Sequence, residues 1–439
     1  MCYKGLVQKI FLFFIFFLGI GIFYNCFMCY NPLAFTWNYL LTNLFIYPTY
    51  SNFSFILLFV GVYFSFIIIC LAENKAKHHF FKICSVITLF ITLIIFYIST
   101  NNLIFFFYLY ETFLAPSIYL VYYYSPNKRS LIATFYFLIW TQIGSFLVFV
   151  SLLLIINYVN AWHFHLLNTT YLPNFLKNWI FFFIFFGFGI KVPIWPFYYW
   201  LTKTHVEAPT FFSIYLSGFL VKTALYGFYK LFFFNTYAFM PVYLTILLFS
   251  VCDVSLKFFT QVDIKKIVAY GTVQEMNLIY LGLLFFNKKS LIYVSLFILT
   301  HAILSTIFFF IVDCLYKRYK SRSIYNIYAS FNFYPITTFI IIFSCLGFNA
   351  FPGSLKFFLE LFIFSALFEI NFLSILVVFI ILNWLGTVSF TYLWFRGFFG
   401  IKSPKQVNYL IDLTKKELLL FQISFFCYYQ GIFTTFMFF

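Results

Sequence analysis

Long apolar segments alternate with short polar ones along the whole chain. Each apolar segment approaches the ~20 residues that an α-helix needs to cross a bilayer, so the pattern indicates transmembrane helices. The polar connections are brief, and no linker separates a second domain. We therefore predict an all-α integral membrane protein in which residues 1–439 form one membrane domain. The predicted spans are residues 9–29, 52–72, 80–99, 103–124, 133–156, 179–200, 208–234, 238–258, 266–286, 290–313, 335–368, 372–396 and 417–437.

A shorter and weaker apolar segment at residues 33–47 leaves the count at 13 or 14 helices. If this segment is included, loops that run from odd to even spans contain eighteen of the 27 Lys and Arg residues, and the opposite side contains six. Positively charged loops remain on the inner side of a membrane. The odd-to-even loops are therefore predicted to face inward, and the bias grows if residues 33–47 do not cross.

Composition supports a membrane protein and excludes most soluble classes. Of 439 residues, 64% are hydrophobic and 9% are charged, against roughly 25% charged in an ordinary soluble domain. A net charge of +16 in a soluble protein would suggest nucleic acid, but here the basic residues lie in short loops and serve orientation. We therefore expect no nucleic-acid partner.

The nine cysteines do not predict a metal site. Cys26 and Cys29 form a CxxC motif, but no second pair or nearby histidine completes a zinc site. The 76 Phe and 36 Tyr residues have AT-rich codons, which indicates a small AT-rich genome. Because nothing at the N-terminus resembles an Arg- and Ser-rich transit peptide, we expect an organelle-encoded protein.

Two apolar spans are interrupted by similar glycine and proline motifs. Residues 187–196 read GFGIKVPIWP, and residues 347–356 read GFNAFPGSLK. Such motifs free backbone groups at membrane depth, which is tolerated only beside packed protein or a polar cavity. Broken helices at corresponding places in two halves are typical of transporters with inverted repeats. We therefore predict two inverted repeats, each with one broken helix.

Six ionisable residues within the predicted spans are the candidate functional residues. A charge at the centre of a membrane helix costs about 2.5–3.5 kcal/mol on the mildest scale, so such residues pair, face an interior or line a hydrated path. Taken singly, a lysine could extend to the interface and a histidine could satisfy a core hydrogen bond. Taken together, acids, lysines and a histidine on successive spans predict a lateral proton relay. These residues are Glu111, Lys191, Lys222, His301 and Glu360, with Glu275 as a possible further member.

Several motifs carry a family resemblance that covers about residues 105–365. The most specific is HVEAPT at residues 205–210; QVDIKKIVAY at 261–270, HAILST at 301–306 and FPGSLKFFLEL at 351–361 follow in order. The segment resembles the antiporter-like proton-pumping subunits of respiratory complex I. Among these it is most similar to the chain 4 family of NADH:ubiquinone oxidoreductase, which is expected to carry Lys at position 222 and Glu at position 360.

The resemblance implies a role for each candidate. Glu111 would be the acid whose pairing modulates Lys191, and Lys191 would be the proton-loading site on the first broken helix. Lys222 and His301 would continue a hydrophilic axis, and Glu360 would end it at the second broken helix. The motion of protons would be coupled to NADH oxidation and ubiquinone reduction elsewhere in the complex.

The resemblance also implies a location, partners and an absence of cofactors. The chain would lie in the mitochondrial inner membrane as a multi-pass subunit. Its partners would be other membrane subunits of complex I, especially the two neighbouring antiporter-like subunits, and lipids. The chain itself would hold no cofactor, because flavin, iron–sulfur clusters and ubiquinone would bind to other subunits.

Three departures from the family pattern, and two alternatives, accompany this interpretation. Glu275 stands where the family usually has His, Tyr198 replaces a common His, and Thr202-Lys203 replaces a usual Pro-Asp in the loop. One alternative is a subunit of a multi-subunit cation/proton antiporter that is not coupled to NADH. The other is a structural assembly subunit without its own proton path, although retention of the relay residues argues against it.

Overall fold

The computed structural model describes residues 52–72, 77–125, 127–159, 162–164, 172–232, 240–284, 288–327, 330–368, 373–398 and 412–438. Within these ranges the chain is almost wholly helical, and β-structure is limited to two isolated bridges, Asn102 with His163 and Asp263 with Ser323. Seven of the described helices are long and apolar enough to cross a membrane. The predicted all-α membrane class is therefore confirmed.

Part of the predicted topology lies outside the described residues. Spans 9–29 and 33–47, and the CxxC motif, fall before residue 52. The total of 13 or 14 helices therefore stays a prediction. From residue 52 onward, each predicted span coincides with a helix or with a pair of helices across a break.

The helices are numbered here in chain order. They are α1 Asn52–Ala72, α2 Lys77–Ser99, α3 Leu103–Tyr124 with an irregular turn at Phe113, α4 Lys128–Val159, α5 Asn174–Lys191, α6 Tyr199–Glu207, α7 Thr210–Lys230, α8 Met240–Phe258, α9 Ile264–Leu284, α10 Lys288–Tyr319, α11 Pro335–Phe348, α12 Leu355–Phe368, α13 Leu373–Arg396 and α14 Lys415–Phe438.

Local sequence explains where two of these helices begin. The Asn102 side chain accepts hydrogen bonds from the backbone N–H groups of Ile104 and Phe105, at 3.0 and 3.2 Å, and so caps α3. Such caps satisfy donors that the first turn of a helix leaves unpaired. Pro335 occupies the first turn of α11, where its missing N–H is not needed.

The central helices of the described bundle are α7, α9 and α10. Their apolar windows are wholly buried, whereas less than half of the corresponding windows of α2, α3, α4 and α8 is buried. Phe135 and Phe146 of α4 are more than 60% exposed, which fits a lipid-facing surface. The ionisable residues of α7, α9 and α10 are therefore held in the protein interior.

Both predicted helix breaks are present. The α5 helix ends at Lys191, and residues 192–198 form turns before α6. The α11 helix ends at Phe348, and residues 349–354 are non-helical before α12. Gly353 has φ +96° with open space around it, so its backbone conformation, rather than crowding, requires glycine.

Glycine contacts bring α4 close to α5. A Cβ atom on Gly187 would lie 2.6 Å from Val148 Cγ2 and 2.9 Å from the carbonyl oxygen of Gly144. Small residues allow membrane helices to approach closely where lipid supplies no hydrophobic driving force. This approach holds the C-terminal end of α5, and thus Lys191, against α4.

Candidate functional site: buried ionisable groups along the bundle

The first group joins α3, α4 and α5. Lys191 Nζ lies 3.4 Å from Glu111 Oε1, and the two side chains are 6% and 21% exposed. The ammonium group also lies 3.4 Å from the centroid of the Tyr110 ring. Gln142 Nε2 donates to Glu111 Oε2 at 3.1 Å. The lysine therefore has a carboxylate and an aromatic face as partners, both of which favour its charged form.

Lys191 is placed by the helix break. It is the last residue of α5, in the final turn, where a cation interacts favourably with the exposed carbonyl groups of the helix. The bend that begins at Val192 directs the chain away at this depth. A carboxylate that approaches or leaves Lys191 would change how firmly the lysine holds its proton.

The second group joins α7 and α10. Lys222 Nζ lies 2.7 Å from His301 Nδ1 and also donates to the carbonyl oxygen of Ser217. Ser217 lies in a π-helical turn that spans Leu216–Leu220. Ser217 Oγ lies 3.3 Å from Ser305 Oγ of α10. Both ionisable side chains are essentially inaccessible to solvent.

The contact with Lys222 assigns a tautomer to His301. A lysine ammonium can only donate, so His301 Nδ1 accepts, and the ring proton of the neutral imidazole is then on Nε2. His301 Nε2 lies 3.9 Å from Glu275 Oε2, beyond hydrogen-bond range. A direct proton transfer to Glu275 therefore requires this pair to close by about 1 Å.

The third group joins α9 and α12. Lys356 Nζ lies 2.6 Å from Glu275 Oε1 and 3.4 Å from Glu360 Oε1. The exposed fractions of the three side chains are 1%, 3% and 14% for Lys356, Glu275 and Glu360. Lys356 also donates to the carbonyl oxygen of Phe348 at the end of α11. One ammonium group thus lies between two carboxylates, one buried and one partly buried, and contacts the second helix break.

The structure brings most of the sequence-predicted residues together, but in two separate sets. Lys222, His301, Glu275, Lys356 and Glu360 form one continuous series, whereas Glu111 and Lys191 form a pair. Within the described ranges, no hydrogen bond or ion pair joins Lys191 to Lys222 directly. The role of each residue in proton transfer stays a prediction.

Aromatic rings occupy the region that links the two sets. Tyr110 lies against Lys191, and its ring stacks on Tyr97 with centroids 6.4 Å apart. The Tyr97 hydroxyl donates to the carbonyl oxygen of Thr223 at 3.0 Å, next to Lys222 in the chain. Proton transfer between the two sets therefore requires groups other than those in direct contact with Lys191 and Lys222.

Lys356 is the residue that sequence reasoning missed. It lies within the FPGSLKFFLEL motif but is not among the residues predicted to form the relay. Two signals could have identified it: it is placed four residues before Glu360, which puts both on one face of a helix, and it immediately follows the second break. Glu275, predicted only as a possible further member, lies at the centre of the series.

The other departures from the family pattern lie at the first break. The Tyr198 hydroxyl donates to Asp253 and accepts from Lys257, and Lys257 is 2.8 Å from Asp253. The Thr202-Lys203 pair was predicted to lie in a loop, and this is wrong, because both residues lie within the regular helix α6.

Two of the motifs contact each other. His205 of HVEAPT is wholly buried and stacks on Phe309 with ring centroids 4.8 Å apart. Lys265 of the QVDIKK motif donates to the carbonyl oxygen of Ala208. The two segments therefore fix α6 and the start of α7 against α9 and α10.

In the part of the chain that the structure describes, no group of three His, Cys, Asp or Glu residues could hold a metal ion.

Solved structures share this fold. One chain of respiratory complex I from Thermus thermophilus with bound NADH superposes with a TM-score of 0.76 at 16% identity, covering 86% of this chain and 80% of that one. A chain of the Mrp complex from Dietzia sp. DQ12-45-1b gives a TM-score of 0.77 at 15% identity, covering 90% and 84%. At these identities the likeness establishes the antiporter-like fold alone.

Sequence comparisons define the family. Residues 100–386 match the family model described as NADH:quinone oxidoreductase/Mrp antiporter, TM. The NADH-ubiquinone oxidoreductase chain 4 of Paramecium tetraurelia is 38% identical over 386 residues, which are 87% of this chain and 80% of that protein. The Acanthamoeba castellanii chain 4 is 30% identical over 84% of this chain and 75% of that protein. The chain therefore belongs to the chain 4 family of NADH-ubiquinone oxidoreductase, within the wider NADH:quinone oxidoreductase/Mrp antiporter membrane family.

Proposed function

We propose that this chain is a proton-translocating membrane subunit of an NADH:ubiquinone oxidoreductase. The observation that supports this function best is the buried series of ionisable side chains from Lys222 to Glu360. Ionisable groups are costly inside a membrane protein unless they pair with each other or take part in moving ions or protons. A series in which donors and acceptors alternate supplies what a stepwise proton transfer needs.

The first transfer can be written from the contacts around His301. The Lys222 ammonium gives a proton to Nδ1, while the Nε2–H group gives its proton to the approaching Glu275 carboxylate. Lys222 is then neutral, Glu275 is protonated, and the imidazole has changed tautomer. Before the next cycle His301 must return to its first tautomer, either by ring rotation or by a reverse exchange of protons.

The pair of Glu111 and Lys191 controls the other end of the path. Separation of the carboxylate from the ammonium group removes an attraction of about 5 kcal/mol at 3.4 Å and an effective dielectric constant of 20. A helix movement that changes this distance would therefore alter the proton affinity of Lys191 strongly. Because Lys191 ends a broken helix, a small shift at the break suffices to alter the distance.

Redox chemistry belongs to other parts of the proposed complex. This chain binds neither flavin nor iron–sulfur clusters nor ubiquinone in our proposal, and conformational change at the quinone end drives proton uptake, lateral transfer and release. Its neighbours are other membrane subunits, among them two further antiporter-like subunits, and lipids. The proposed location is the mitochondrial inner membrane, with the chain encoded in the organelle.

The alternative is a subunit of a cation/proton antiporter, since the Mrp complex has the same fold. The sequence relatives with the name NADH-ubiquinone oxidoreductase chain 4 favour the NADH-coupled complex. A purely structural subunit is disfavoured, because such a subunit gains nothing from keeping several unneeded charges buried.

Extraction of membranes with mild detergent, followed by a native gel stained for NADH dehydrogenase activity, tests the assignment. We expect mass spectrometry to find this chain in the large stained band. Recovery only in a smaller band without NADH activity would refute the assignment and favour the antiporter. In that case the dependence of transport on sodium or potassium would be measured next.

A further inference from the structure

We infer that Lys356 is a proton-transferring residue that carries protons between Glu275 and Glu360. The inference rests on the proposed function and extends it to one residue that is not among the sequence-predicted candidates. It also assigns a purpose to Glu275, which stands where the family pattern leads us to expect histidine. The geometry of three helices around one ammonium group carries the argument.

Lys356 connects groups that otherwise lack a direct contact. Its Nζ atom is 2.6 Å from Glu275 Oε1 on α9 and 3.4 Å from Glu360 Oε1 on its own helix. The third donor direction is occupied by the carbonyl oxygen of Phe348, and the ring of that residue lies 4.4 Å from Nζ. Two of the three ammonium donors thus form hydrogen bonds, to Glu275 and to the Phe348 carbonyl, and Glu360 lies within ion-pair distance.

The unequal distances suggest a direction for the transfer. While Glu275 is ionised, it is the nearer partner of Lys356. Once Glu275 accepts a proton from the His301 side, it no longer attracts the ammonium group, and Glu360 becomes the remaining charged partner. Lys356 then gives one proton to Glu360, and neutral Lys356 takes the proton of Glu275. The net result is one proton moved from Glu275 to Glu360, with Lys356 again charged.

The arrangement repeats the pair in the first half of the protein. Glu111 and Glu275 lie on helices that continue through the membrane, whereas Lys191 and Lys356 lie at the edges of the two breaks. Lys191 is the last residue of α5, and Lys356 is the second residue of α12. Each half therefore contains an acid that pairs with a lysine at a break.

The charges of Glu275 and Lys356 balance each other, which accounts for the presence of both. A neutral histidine at position 275 would need no cation beside it, whereas a carboxylate that is 3% exposed requires one. Lys356 supplies this charge and, unlike an arginine, can release a proton. We therefore expect Glu275 and Lys356 to act as a unit.

Lys356→Arg distinguishes a proton carrier from a structural cation. Arginine keeps the positive charge and can pair with both carboxylates, but it does not lose its proton in proteins. The matched control is Lys230→Arg, because Lys230 is another buried lysine, which donates to the carbonyl oxygens of Ile98 and Thr100 at 3.2 and 2.9 Å. Both variants are studied in the complete NADH-oxidising complex, reconstituted into vesicles.

We expect Lys356→Arg to slow proton uptake by roughly 10²-fold, the scale of a lost proton-transfer group. Oxidation of NADH with a water-soluble artificial acceptor should remain unchanged, and Lys230→Arg should pump normally. Normal pumping by Lys356→Arg would overturn the inference, because a fixed charge would then suffice. Lys222→Met distinguishes failure of the proposed function from failure of the role of Lys356. If Lys222→Met and Lys356→Arg both pump normally, the proposed function is refuted. If Lys222→Met stops pumping and Lys356→Arg does not, only the role of Lys356 is refuted.

A second readout decides the matter if Lys356→Arg does not assemble. Lys356→Gln keeps amide donors for the carboxylates but has no transferable ammonium proton. Infrared difference spectra during turnover should show the carbonyl band of protonated Glu275, identified by its loss in Glu275→Gln. The corresponding Glu360 band, assigned with Glu360→Gln, should be present in the wild type and absent in Lys356→Gln. Its appearance in Lys356→Gln would show that protons reach Glu360 without Lys356.

Discussion

Replacement of Glu111 by glutamine tests the control of Lys191 with little change in shape. The substitution keeps the length of the side chain and a hydrogen-bond acceptor near Lys191, but removes the negative charge. Gln142, which donates to Glu111 at 3.1 Å, can pair with the new NH2 group once its own amide flips and presents its oxygen. Any loss of pumping then reports the charge rather than a cavity.

The expected magnitude follows from the geometry of the pair. At the observed 3.4 Å and an effective dielectric constant of 20, the Coulomb attraction is about 5 kcal/mol, which is an upper bound. Removal of one partner of a buried pair costs about 3–5 kcal/mol, and a retained hydrogen bond to the ammonium group recovers about 1.5–3 kcal/mol. The remainder of about 2 kcal/mol destabilises the proton-loaded form of Lys191, so where this loading limits turnover the rate falls roughly 30-fold.

The measurement is proton uptake by vesicles that contain the assembled complex, in parallel with NADH oxidation by ubiquinone. Glu111→Gln should pump roughly 30-fold more slowly, and Glu111→Asp, which keeps the charge, should lose less. Asp313→Asn is the control, because Asp313 pairs with the half-exposed Lys317 at 2.7 Å, and such pairs contribute about 0–1 kcal/mol. Wild-type pumping by Glu111→Gln would refute the reasoning about this pair.

Three further variants test the central residue, a helix contact and the anchoring of the last helix. Lys222→Met should lower proton uptake roughly 10²-fold without change in NADH oxidation by an artificial acceptor; an unchanged ratio of protons to NADH would remove Lys222 from the path. Gly187→Ala, which places a methyl group 2.6 Å from Val148 Cγ2, should cost about 1–3 kcal/mol, measured as a lower melting temperature of the complex. Arg318→Ala breaks a 2.8 Å ion pair with Glu417 at the start of α14 and should make α14 more accessible to protease; unchanged cleavage would contradict that anchoring role.

The sequence predicts the class of the protein and the position of its helix breaks well. Apolar segments of membrane-spanning length are local features, and so are the glycine and proline motifs that end α5 and α11. The candidates Glu111, Lys191, Lys222 and His301 can be identified because charges within such segments are rare. Each of these predictions depends on neighbours in the sequence, which are visible without a structure.

The pairing of these residues could not be predicted in the same way. Glu275 and Lys356 are 81 positions apart, and their contact depends on how α9 packs beside α12. From the sequence alone, Glu275 is only an extra acid in one span, and Lys356 is only a lysine at the edge of another. The same limit applies to Tyr198, whose partners Asp253 and Lys257 come from α8.

The π-helical turn in α7 determines which way Lys222 points. One additional residue in a helical turn rotates everything that follows by about 100° relative to a regular α-helix. Lys222 follows the turn at Leu216–Leu220, so its direction toward His301 depends on that one inserted position. The same residues wound as a regular α-helix would aim Lys222 about 100° away from His301, whereas deletion of one residue from the turn would restore regular winding and leave the lysine in its present direction. The number of residues in this short segment and its winding are therefore matched to each other, and the two together set the direction of Lys222.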